Sequence, residues 1–131
     1  MVMDVLELLL NGEPAKLPEK EYRLKRLSRE HGGDVVFKLR ALPYSRVGEI
    51  RRMDEESQSI HIILAGTVSP NLKAQALLDK YGAATPAELL EKMLLPGEID
   101  DVALRIEQLS GYKSPVLEEV KKNSGGTQSS S

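Results

Sequence analysis

The sequence predicts a mainly helical α+β fold: an N-terminal β-hairpin followed by four or five short packed helices. Three observations point there. Aromatics are scarce, only four Tyr, one Phe and no Trp in 131 residues, so the core must be built from Leu, Ile, Val, Met and Ala, which suits helix packing. Residues 35–42 alternate apolar and polar, with Val35, Phe37, Leu39 and Ala41 on one face, the period-two pattern of a half-buried strand. From Pro43 onward, prolines and glycines punctuate apolar residues that recur at helical spacing.

Along the chain, residues 3–11 read as a short helix or strand ending at the turn signal Asn11-Gly12. Glu13 to Glu19, with Pro14 and Pro18, is a connector. Residues 21–28 alternate apolar and basic in their first half, and Gly32-Gly33 supplies the positive φ of a tight turn, so a hairpin is expected over about 21–42. Such a hairpin is too small to be stable alone and must pack on helices or pair with the N-terminal segment. Residues 44–56 carry Val47 and Ile50 three apart. Residues 58–67 place Ile60, Ile63, Leu64 and Thr67 at helical spacing, although the β-branched run at 60–64 also reads as a strand.

Better-marked helices follow. Ser69-Pro70 reads as an N-cap with Pro at the first helical position, opening a helix that buries Leu72, Leu77, Leu78 and Tyr81 and stops at Gly82. Thr85-Pro86-Ala87-Glu88 is a capping box opening a helix with Leu89, Leu90, Met93 and Leu94. Pro96 starts another, with Ile99, Val102, Ala103, Ile106 and Leu109 in one stripe, closing at Gly111. Ser114-Pro115 offers one more short helix through about Lys122. One domain is expected over residues 1–117, its helical part over 44–117, with a flexible tail over 118–131 whose last nine residues have nothing apolar to bury.

Composition narrows the function classes. There is no Cys, which excludes disulfides, thiolate catalysis and Cys-based zinc sites and fits a reducing compartment. No apolar run approaches the roughly 20 residues of a membrane span, and residues 5–10 contain Glu7 and lack the basic flank of a signal peptide. Catalytic constellations are missing as well. His31 lies in a turn and His61 in an apolar run. Glu55-Glu56, Asp100-Asp101 and Glu118-Glu119 are adjacent pairs that point to different sides of a helix. Gly32-Gly33 lacks the remainder of a phosphate loop. No catalytic residue, cofactor or metal site is therefore expected.

Charge is uneven. Residues 20–52 hold ten Lys/Arg and four acids, a local +6, while the rest sums to −8 to give the net −2. An anionic partner is one reading and the solvated face of a hairpin the other. The stretch includes Tyr22, Phe37 and Tyr44, but Phe37 alternates in phase with the core face, and a pI near 5.7 lies well below that of a dedicated nucleic-acid domain. By contrast, Leu89, Leu90, Met93, Leu94 and Leu95 crowd one short helix and its exit. Such a helix is either sandwiched in the core or exposes a Leu/Met surface suited to capturing another helix.

Four segments in order carry a resemblance: residues 67–72 (Thr-Val-Ser-Pro-Asn-Leu), 78–82 (Leu-Asp-Lys-Tyr-Gly), 87–98 (Ala-Glu-Leu-Leu-Glu-Lys-Met-Leu-Leu-Pro-Gly-Glu) and 108–111 (Gln-Leu-Ser-Gly). Their order and spacing resemble the XkdN-like family of phage tail assembly chaperones, over about residues 60–112. The N-terminal region is more basic than in that family, and the junction at 83–86 is more strongly marked by Pro86. The resemblance implies a non-enzymatic helper acting in the cytoplasm of a bacterial host. Its partners would be the tape-measure protein and possibly the tail-tube protein, and it would be absent from the finished particle. Asn71, Leu72, Tyr81, Leu89, Leu90, Met93, Leu94 and Leu95 are the partner-binding candidates in the matched segment. A structural tail or baseplate subunit and a small nucleic-acid-binding regulator are the alternatives.

Overall fold

A computed structural model describes residues 4–121. Helix α1 (Val5–Asn11) stands first, then strand β1 (Glu19–Arg23), helix α2 (Lys25–His31) and strand β2 (Val36–Arg40). Helices α3 (Tyr44–Arg51) and α4 (Glu55–Gly66) lead to the three-residue strand β3 (Thr67–Ser69). Helices α5 (Gln75–Tyr81), α6 (Pro86–Met93) and α7 (Pro96–Leu109) complete the order. The mainly helical α+β class is as expected, and five helices follow β2.

The sheet runs β1-β2-β3, all antiparallel, with Tyr22 opposite Phe37 and Lys20 opposite Leu39. The strands of the expected hairpin pair, but Gly32-Gly33 is not a tight turn between them. The chain leaves β1 at Leu24 and winds into α2, because Leu24, Leu27 and Ser28 at helical spacing are all buried. Gly32 sits at φ 68°, ψ 26° and ends that helix in the left-handed conformation that glycine adopts without a Cβ penalty. Buried Ser28 completes the joint: its Oγ accepts from the Val35 N–H at 2.9 Å, satisfying a donor at the edge of β2.

Alternation on β2 holds. Phe37 and Leu39 are each 1% exposed, while Val36 and Arg40 face out. They join one apolar cluster with Ile60 and Ile63 of α4, Leu89 and Leu90 of α6, and Ile106 of α7. The 60–64 run is helical, and its strand reading does not hold. It lies within α4, whose end approaches α7 closely: a Cβ built on Gly66 would stand 2.7 Å from Ile106 Cγ2. Only glycine fits that crossing without displacing Ile106.

Two further expectations are corrected. Ser69-Pro70 does not open a helix. It ends β3, and α5 begins at Gln75, after an Asx-type turn in which Asn71 Oδ1 accepts from the Lys73 N–H at 3.0 Å. Leu72 is buried before the helix starts. The second correction is that residues 114–121 form no helix, since Val116, Leu117 and Val120 are 70–90% exposed and meet no face to pack against. Lys122 and the expected tail end at 122–131 lie outside the described residues. The helix stop at Gly82 (φ 63°) stands as expected.

Candidate partner-binding surface

The crowded apolar helix is core. In α6, Thr85 Oγ1 accepts from the Glu88 N–H at 3.1 Å, and the Glu88 carboxylate reaches back to the Ala84 N–H at 3.4 Å, one residue before the expected partner. The cap fixes the helix between α5, α4 and α7. There Leu89 and Leu90 are 0% exposed, and Met93 and Leu94 are buried. A side chain without accessible surface cannot meet a partner unless the fold opens. Of the eight candidates, Leu72, Leu89, Leu90, Met93 and Leu94 are thus interior. Asn71 is exposed and occupied by its turn, Tyr81 is half-buried, and Leu95 is 53% exposed.

The longest run of exposed apolar side chains among the described residues lies at the other end of the chain. Helix α1 has no buried residue, and every residue from 4 to 20 is exposed. Val5, Leu6, Leu8, Leu9 and Leu10 stand 55–75% exposed. A contiguous exposed apolar element marks an interaction site. The signal was present in the sequence as a Leu-rich run cut off from the body by Gly12, Pro14 and Pro18, a connector that separates it from any core.

Five of the ten cations in the basic stretch 20–52 form ion pairs within the fold. Arg23 pairs with Asp34 at 2.8 Å, Lys38 and Arg40 both reach Glu19, and Arg46 meets Glu49. Arg26 has the densest contacts. Its Nη2 donates to Glu98 Oε1 at 2.8 Å and to the Met93 carbonyl at 2.9 Å, and its Nη1 donates to Glu30 at 3.0 Å. Glu98 Oε1 also accepts from the Leu95 N–H at 2.8 Å, so one carboxylate caps α7 and holds α2 against the α6–α7 joint. The Arg26 guanidinium holds the Glu98 carboxyl below its ordinary value, the Leu95 N–H adding to the effect and desolvation opposing it. Arg26 is itself raised, chiefly by its bond to Glu98.

His31 is exposed and His61 half-buried. Among the described residues no three His, Asp or Glu gather as a metal group, and no helix is long and apolar enough to cross a membrane.

A family model for the phage XkdN-like tail assembly chaperone protein matches residues 6–122. The chain belongs to that family. Its general role is therefore tail assembly chaperone, and the match takes in the α1 arm together with the body. The fold is similar to the crystal structure of the protein yqbn, with a TM-score of 0.66 and 23% identity over 86% of this chain and 100% of that one. No curated protein matches.

In this tail assembly chaperone the four resemblance segments are the fold's joints. Residues 67–72 are β3 and the Asn71 turn. Residues 78–82 end α5, and residues 87–98 are α6 with the capped start of α7. In 108–111, Ser110 Oγ accepts from the Leu42 N–H and donates to the Ile106 carbonyl, each at 2.8 Å, tying the exit of β2 to α7.

Proposed function

We propose that this tail assembly chaperone binds the tape-measure protein during tail morphogenesis in the host cytoplasm, without catalysis, and that α1 is the capturing element. The observation that carries the reading is the exposure of all five apolar side chains of α1 on a helix with no buried residue. A tape-measure protein, as the family resemblance implies, is long and helical. Its unassembled apolar faces aggregate unless masked. A short apolar helix on an extended connector lays its face against another helix with i, i+3, i+4 anchors. Its small area favours binding weak enough to be displaced by tube subunits.

Co-expression with the tape-measure protein, scored by solubility and co-elution, tests this. The wild-type chain is expected to keep the tape-measure protein soluble and to travel with it. Leu6→Asp/Leu9→Asp is expected to abolish both while leaving the chaperone folded by circular dichroism. Capture that survives this double variant assigns the site elsewhere, Leu95 and Tyr81 being the next surface. Persistence of the chain in purified particles would instead favour a structural tail or baseplate subunit.

A further inference from the structure

A cleft of about 690 Å³ opens between the end of β1, helix α2 and helix α7. Its walls carry five cations, Arg23, Lys25, Arg26, Arg29 and Arg105, against two acids, Glu98 and Asp101. Arg26 is engaged by Glu98 and Glu30, Arg23 by Asp34, and Arg105 by Asp101. Lys25 and Arg29 are exposed and hold no ion pair among the described residues. Between the cations the accessible aromatic surface is half-buried Tyr22, with the Arg105 guanidinium 5.9 Å from its ring centre; Leu24, Phe37 and Val102 lie buried beneath. Neither the sheet nor the Arg26 clamp needs Lys25 and Arg29.

The chain itself contains the complementary element. Residues 4–13 hold three acids, Asp4, Glu7 and Glu13, and no Lys or Arg. The same stretch holds the five exposed apolar side chains of α1. An acidic, apolar helix of seven residues, about 10 Å long, matches the cationic cleft in sign, and Tyr22 with the aliphatic stems of the Lys and Arg side chains offers apolar contact. The connector argues for a second copy. Residues 12–18 are exposed throughout and include Pro14 and Pro18, which favour an extended spacer of about 20 Å at roughly 3 Å per residue. They enter β1 at Glu19, whereas the cleft lies at the strand's other end, by Tyr22 and Arg23. An extended arm therefore points away from its own cleft.

We propose that α1 of one copy docks in the cationic cleft of a second copy, the two arms exchanging across a two-fold axis. Reciprocal exchange of one element closes the assembly at a dimer. The cleft and a tape-measure helix then compete for the same face of α1. The free chaperone keeps its leucines covered, and the tape-measure protein displaces the partner copy. That last step rests on the function proposed above; the dimer does not.

Sedimentation equilibrium of the full chain alone, over micromolar concentrations, reads the dimer without any tape-measure protein. The expected result is a concentration-dependent dimer. Lys25→Glu/Arg29→Glu should weaken it by roughly tenfold or more, and so should Leu6→Asp/Leu9→Asp. Lys25 and Arg29 are exposed, so the folded state survives their reversal. Adding Asp4→Lys/Glu7→Lys to the Lys25→Glu/Arg29→Glu chain should restore the dimer, which no general loss of stability could do. A monomer at every concentration overturns the proposal, including the case where α1 folds onto its own cleft. A dimer indifferent to the charge reversal also overturns it.

Discussion

Helices α1 and α6 are similar in length, both carry leucine pairs, and they are opposite in fate. The first has five apolar residues among seven and buries none. The second places Leu89, Leu90 and Met93 in the core and is followed at once by buried Leu94. What separates them is reach. Four residues divide α5 from α6 and two divide α6 from α7, so α6 is delivered into a space its neighbours have already walled. Helix α1 is followed by seven connector residues with two prolines and arrives nowhere. Apolar content sets the tendency to be covered, and chain connectivity decides by what.

The comparison breaks most visibly at single leucines. Leu90→Ala should cost about 2–5 kcal/mol through lost transfer energy and a residual cavity. Leu9→Ala, on a side chain 75% exposed, should stay within about 0.5 kcal/mol. Urea denaturation of both at a concentration where the wild type is monomeric measures the contrast. Equal losses would mean that α1 is part of the folded body.

The packing around α6 and α7 can be probed next. Gly66→Ala forces a Cβ against Ile106 and should cost about 1–3 kcal/mol, whereas Gly12→Ala, beside the exposed arm, should cost less. Ser28→Ala leaves the Val35 N–H without its acceptor and should cost about 1–3 kcal/mol, with hydrogen exchange at Val35 rising first. In α1 there is no comparable buried bond to lose.

Acid gives the smallest effect. Glu98 is held below its ordinary value of 4.5 in the folded chain. Its contribution is fully present above that ordinary value and is lost as pH falls through the lower folded value. The stability gap between wild type and Glu98→Gln should therefore be constant near neutrality and shrink in strong acid. A gap that grows on acidification would mean that Arg26 and Glu98 do not pair in solution.

Local signals were legible where one residue has one structural meaning. Thr85-Pro86 and Pro96 start helices and Gly82 ends one because caps are made by neighbours three or four residues away. The alternation at Phe37 and Leu39 identified the sheet's inner face. Gly32-Gly33 misled because a left-handed glycine serves a helix end as readily as a hairpin turn. What selected the helix end was burial of Leu24 and Leu27 in a core shared with residues far along the chain, with Ser28 bonded to Val35. Pro70 likewise fits a helix start and a strand end. In the candidate site, helical spacing shows that Leu89, Leu90 and Met93 form a stripe, but not what covers it. Covering is a long-range property, and so is the absence of cover on α1.

The bonds that Arg26 and Leu42 make with Glu98 and Ser110 have a consequence for synthesis. β1, α2 and β2 are made well before α7, so the guanidinium of Arg26 waits about seventy residues for its carboxylate and the Leu42 amide as long for its hydroxyl. Contacts of such separation form late, after the loop between them has closed. The leading third of the nascent chain stays unfinished until α7 emerges. Until then the exposed apolar helix α1 is attached to a body that is itself incomplete.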